Sequence, residues 1–167
     1  LLEAFVEEIK EVSSCEAVGI RLLDEEGNIP YQARDGFPQS FYEKESPLSL
    51  NEDECMCIYV IKGDTDPSLP FFTEFGSFYM NGTSAFLASV SKEEKGRTRN
   101  VCNEYGYESV ALVPLRIQEK IIGAVHVADT REDRIPRELL EFLEYTALEL
   151  APAVERIRRH SEQREEL

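Results

Sequence analysis

The stretch ESVALVPLRIQEKIIGAVHVAD, Glu108 to Asp129, decides how the rest of the chain is read. It holds two runs dense in β-branched and other apolar residues, Ser109 to Ile117 and Lys120 to Ala128, parted only by Gln118 and Glu119. Two such runs joined by two polar residues predict a β-hairpin, and with it an antiparallel sheet. Gly123, inside the second run, marks a place where another backbone can come close.

Toward the N-terminus, Ala17 to Leu23 reads as a further strand, Glu25 to Asn28 as a turn, and Ile29 to Arg34 as a returning strand. Before them, Leu2, Phe5, Val6, Ile9 and Val12 recur at helical spacing and predict an amphipathic helix ending at Ser13 and Ser14. FPQSFYEKE opens with proline near a helix start, and CMCIYVIKGD reads as a short helix closed by Gly63. Pro67 to Asn81, with four phenylalanines, is expected to be an irregular loop anchored by its rings. Thr83 to Val90 has neither a clean strand period nor a clean helical one, while Ser91 to Glu104 is compatible with a helix.

Pro136 opens a final helix in which Leu140, Leu143, Ala147, Leu150, Val154 and Ile157 alternate steps of three and four, the spacing of a coiled-coil seam. The expected arrangement is a helix that starts on its own sheet and ends in a homodimer, bent at Pro152. The layout is then a helix over 1–14, a core over 15–135 and a dimerisation helix over 136–167.

At 167 residues and 42% hydrophobic, the chain is sized for one core burying roughly two thirds of its unfolded surface. VALVPL and IIGAV are too short to cross about 30 Å of hydrocarbon. The N-terminal segment carries acids where a secretory leader needs bases, so a cytoplasmic protein is expected. A net charge of -15 repels phosphate backbones and anionic lipid heads, which argues against nucleic acid and membrane surfaces as partners. No Gly-rich phosphate loop, paired serine and histidine, or two-histidine metal motif stands in the sequence.

This order of elements resembles that of a GAF domain. Glu108 to Asp129 resembles the family's most recognisable hairpin, with Pro114 and Leu115 closing one strand and Gly123 in the next. AVGIRLLDEEGN resembles its first strand and turn, and GSFYMNGTSAFLAS and TRNVCNEYGYES resemble a subgroup found in bacterial and archaeal sensor histidine kinases. The resemblance implies an α/β (α+β) fold, an antiparallel sheet with helices on both faces and a pocket between sheet and crossover segments. It also implies a regulatory rather than catalytic task, a small-molecule ligand, and partners in neighbouring domains of the same chain and in a homodimer. No NKFDE-like motif and no cysteine in a bilin-attachment context occur, so neither a cyclic nucleotide nor a bilin is expected.

Cys55, Cys57 and Cys102 carry the chemical potential of the chain, while Cys15 reads as a small buried apolar residue. Two sulfurs one residue apart cannot readily join each other, and zinc would need Cys15 or His126 to complete four ligands. Some GAF domains hold haem, and likeness to them would make Cys57 or Cys102 an iron ligand. A looser likeness to free methionine-R-sulfoxide reductases places Cys57 before the helix IYVIKGD and Cys102 before ESVALVPL, implying a cysteine-dependent enzyme as the alternative function. His126, between apolar strand neighbours, is expected to be a satisfied core histidine. Arg99 and Asn100, with Arg97, complete the candidates as contacts for an anionic ligand. The ligand-binding candidates are therefore Cys55, Cys57, Arg99, Asn100 and Cys102, with no catalytic residue and no metal assigned.

Overall fold

A strand with one wet face alternates apolar and polar residues. Here Ala17–Leu22 (β1) is buried at every position, and Ser109–Ile117 (β4) is buried as far as Leu115. Such strands need cover on both faces. The computed structural model describes residues 1–53, 55–89 and 101–166. Its five strands form one antiparallel sheet in the order β2-β1-β5-β4-β3, with Tyr31–Asp35 as β2, Phe78–Met80 as β3 and Lys120–Asp129 as β5. The hairpin expected from Glu108 to Asp129 is its centre: Ser109 pairs with Asp129, Val113 with Val125, and Gln118 turns the corner at a φ of 57°. A Cβ on Gly123 would lie 2.1 Å from the Arg21 carbonyl oxygen, so the close approach that glycine signalled is real.

The two end helices, Leu2–Ser13 (α1) and Arg137–Glu166 (α6), cover one face of this sheet. Val6, Ile9, Leu143, Ala147, Leu150 and Val154 pack there on Val18, Ile20, Val113, Val125 and Val127. The other face is covered by Gln39–Glu45 (α2), Met56–Lys62 (α3), Thr83–Ser89 (α4) and Val101–Glu104 (α5). Phe41, Ile58, Ile61 and Val101 meet Tyr31, Val110 and Leu112 on that side.

Two expectations need correction. The seam residues Leu140, Leu143, Ala147, Leu150 and Val154 are buried against the chain's own sheet, and only Ile157 of that set is exposed, at 52%. Helical spacing tells which side chains share a face; the sheet, tethered to the helix by a short connection, reaches that face first. Pro152, where a bend is expected, lies on the exposed side of this helix, which continues past it. The phenylalanine-rich segment, expected to be loop throughout, ends in edge strand β3, and the ambiguous TSAFLAS is helical. Among the described residues, no helix is long and apolar enough to cross a membrane.

Candidate functional site

Because Val18, Ile20 and Leu22 face the end helices, β1 turns Ala17, Gly19 and Arg21 toward the crossover segments. From β5, Ala124, His126 and Ala128 face the same way. The small residues make room for large ones. A Cβ at Gly19 would stand 2.7 Å from the Tyr31 ring and 3.1 Å from that of Phe37.

Arg21, Tyr31 and His126 fill the space and are buried. The Arg21 guanidinium lies 3.9 Å from the Tyr31 ring centre and donates through Nη1 to the Ile29 carbonyl at 2.6 Å, while its Nε has no hydrogen-bond partner among the described residues. Burial opposes its charge, but Tyr31, Cys57, Cys55 and Glu45 around it override burial and keep it protonated. The Tyr31 hydroxyl meets His126 Nδ1 at 2.8 Å, and Cys102 Sγ lies 3.7 Å from Nε2 of the same ring. Burial, helped by the Arg21 charge, lowers the His126 pKa to about 3, so the imidazole is neutral. A neutral ring donates through one nitrogen and accepts through the other. His126 is thus the satisfied core histidine its neighbours suggested, and it links Tyr31 to a thiol.

Beside this chain of groups is a cavity between the sheet and α3, α4 and α5. Its walls include Cys55, Met56, Cys57, Phe78, Met80, Phe86, Leu87, Cys102, Asn103 and Leu112. The empty space is about 540 Å³ with the open mouth included, of which the centre of a water-sized body can visit about 60 Å³. That is room for about four to six such bodies. The walls are apolar and rich in sulfur: of the four cysteines and two methionines in the chain, only Cys15 is not among them.

The structure brings Cys55, Cys57 and Cys102 together on this cavity. Cys57 does not precede its helix, as expected, but lies within the first turn of α3; Cys55 holds the cap position. The hydrogen bond from the Cys57 thiol lowers the Cys55 pKa to about 7 against burial, with the Cys57 backbone N–H and Arg21 adding to the effect. Cys57 is raised by the same shared proton and by burial, and burial raises Cys102. Arg99 and Asn100 lie outside the described residues, as does Arg97. Cys15 is buried on the end-helix side of the sheet, which removes it as a fourth zinc ligand. Among the described residues, no group of three or more His, Cys, Asp or Glu is placed to hold a metal ion. Among the described residues, the interior, with about 60 Å³ open to the centre of a water-sized body, is narrower than a haem macrocycle.

Arg21, Tyr31, Phe78, Met80 and Asn103 were not among the sequence candidates. Strand alternation held the signal for Arg21, since Val18, Ile20 and Leu22 on one face put it on the other, beside Gly19.

Edge strand β3, which supplies the cavity with Phe78 and Met80, is tied at both ends to the exit helix and the segment leading into it. Before the strand, Ser77 Oγ and Thr73 Oγ1 each donate to the Glu144 carboxylate on α6 at 2.7 Å. After it, the Asn81 side chain accepts from the Ile135 backbone N–H at 2.8 Å and donates to the Ile135 carbonyl at 3.0 Å.

The antiparallel sheet thus carries the end helices on one face and, on the other, a small lined cavity under the crossover helices. The chain belongs to the GAF family: the model described as GAF domain matches residues 1–154. Domains of this family are commonly sensory or regulatory. Among solved structures, the chain is similar to a domain of a putative two-component sensor histidine kinase from Sinorhizobium meliloti, with 18% identity, 98% of this chain and 94% of that one covered, and a TM-score of 0.68. It is similar to the GAF domain of an Acinetobacter phosphoenolpyruvate-protein phosphotransferase, at 15% identity, 96% and 84% coverage and a TM-score of 0.70. It is also similar to the type II free methionine-R-sulfoxide reductase of Thermoplasma acidophilum, at 16% identity, 90% and 86% coverage and a TM-score of 0.63. No curated protein matches the sequence.

Proposed function

We propose that this domain senses a small, uncharged, apolar ligand in the sulfur-lined cavity and passes its presence to α6 through β3. The observation that carries the reading is the double role of β3: Phe78 and Met80 form cavity wall, while Ser77 and Asn81 on either side hold the exit helix and its approach. A ligand that favours one position of β3 then favours one position of α6, by its difference in affinity for the two. The output is regulation of neighbouring domains of the same chain in a cytoplasmic signalling protein, in the manner of the histidine kinase relative. Exposed Tyr145, Leu148 and Ile157 on α6 offer the apolar side chains for pairing with a second copy.

Ligand-observed NMR with a panel of small apolar and aromatic compounds tests the cavity. Binders are expected to lose their signal change in Met80→Trp, whose indole fills the space. Glu144→Gln should leave binding intact and abolish the ligand-dependent change in amide exchange along α6. A panel with no binder to the folded wild type rejects the reading.

A second reading, cysteine-dependent reduction of a sulfoxide, draws on the meeting of Cys55, Cys57 and Cys102 at one cavity. Turnover of free methionine sulfoxide with a dithiol reductant, lost in Cys102→Ser, would establish it in place of the sensor.

A further inference from the structure

We propose that the cavity is a site of reversible thiol oxidation, in which a small neutral hydroperoxide drives formation of a disulfide between Cys55 and Cys102. Two geometric features converge there, a shared cavity and a placed Cys102, and the neighbouring Cys57 adds to them. Cys55 and Cys102 come from opposite ends of the crossover region, one capping α3 and the other inside α5, yet both line the same narrow space. Cys57, two residues on, favours loss of the proton from Cys55 against burial while its own thiol is raised, so Cys55 is the more acidic of the pair. Of the charges nearby, Glu45 opposes a thiolate at Cys55 and Arg21 favours it by less, so the thiolate depends on Cys57. Cys102 has a different partner: its sulfur is placed by His126 Nε2, and that ring is in turn placed by the Tyr31 hydroxyl.

In the first step the Cys55 thiolate attacks one oxygen of the O–O bond. An S–O bond forms, the O–O bond breaks, and the leaving alkoxide or hydroxide takes up a proton to depart as alcohol or water. The product is a sulfenic acid at Cys55. In the second step the Cys102 sulfur attacks Cys55: an S–S bond forms, the S–O bond breaks, and the departing hydroxyl leaves as water with the Cys102 proton. Two thiols have given up two electrons and the peroxide has accepted them. Cys57 is the hydrogen-bond donor and His126 the positioning residue.

The cavity selects the oxidant. A net charge of -15 disfavours anionic oxidants, and the apolar walls and small interior admit a neutral molecule of a few heavy atoms. Closing Cys55 to Cys102 would also draw α5 toward α3 across a space walled by β3. Any effect on α6 rests on the relay proposed above, whereas the oxidation itself does not.

The test is titration of the reduced chain with hydrogen peroxide, followed by intact mass and non-reducing peptide mapping. The expected result is loss of two hydrogens and a single Cys55–Cys102 crosslink, reversed by dithiothreitol. Cys102→Ser should stop at a sulfenic acid on Cys55 that dimedone traps, and Cys55→Ser should slow peroxide consumption roughly ten-fold at neutral pH. His126→Gln should leave the first step unchanged and slow the second. Glu144→Gln, which cuts the relay, should form the disulfide at the wild-type rate, so failure of the relay is told apart from failure of the chemistry. Wild-type protein that keeps its thiols under stoichiometric peroxide, or oxidises at Cys15 instead, overturns the proposal, and that outcome needs no variant to fold.

Discussion

His126 shows how one buried ring can set the acid response of a fold. Every element around it contributes a neighbour: Arg21 from β1, Tyr31 from β2, Phe37 and Phe41 from the α2 region, and Cys102 from α5. Its folded pKa of about 3 lies below the ordinary 6.5, so between those values the unfolded chain binds a proton that the folded one refuses. This contribution to stability is fully present above pH 6.5 and falls as pH drops toward 3, by up to about 1.4 kcal/mol per pH unit. Asp129 titrates in a lower window. Burial raises its pKa, but hydrogen bonds from Arg131 and Glu16 override this and hold it at about 2, so its share is lost only below its ordinary 3.8. Urea unfolding at a series of pH values should therefore show a slope between about pH 6.5 and 4 that His126→Gln flattens. An unchanged slope in that variant would assign the acid response elsewhere. The sequence showed that His126 is interior, because valines flank it. It did not show Tyr31 or Arg21 around the ring, since those contacts depend on how β2 and β5 register across β1.

At the scale of elements, α6 is the clearest case of a pattern read correctly and covered differently. Steps of three and four identified Leu143, Ala147, Leu150 and Val154 as one face, and the sheet rather than a second helix buries it. Leu150 is fully buried, so Leu150→Ala should cost about 2–5 kcal/mol of unfolding free energy by chemical denaturation. A loss below 1 kcal/mol would mean that this face is loosely packed. By the same logic, Tyr145→Ser and Leu148→Ser together should change fold stability by less than about 1 kcal/mol, because both side chains are exposed. The central hairpin was legible because its two long runs are apolar on both faces and tightly joined. Strand β3 was hidden because three residues carry no period, and aromatic rings around them fit an anchored loop equally well. Likewise, that the cysteines matter was legible from their spacing, but the wall opposite them, Phe78 and Met80, arrives on that hidden strand.

For the whole molecule, 33 acidic residues against 18 basic ones in a chain of 167 mean that folding concentrates like charge. Salt shortens the reach of that repulsion to about 10 Å at 0.1 M. The folded state should gain about 1 kcal/mol between low and moderate sodium chloride, a rise of roughly 2–4 °C in melting temperature. A melting temperature that falls with salt would show that favourable ion pairs, such as Arg131 with Asp129, outweigh the net charge. The attachment of β3 has a mechanical consequence as well. Among the described residues, Phe78, Tyr79 and Met80 pair with the sheet through Leu112, Ala111 and Val110, whereas β4 and β5 are zipped together from Ser109 to Ile117. Tension applied along α6 reaches β3 through Glu144 and loads that short ladder from one end, so its pairs open one after another rather than together. Pulled from its C-terminal end, this domain should part first at the cavity wall, so that force on the exit helix would open the cavity before it disturbed the central hairpin.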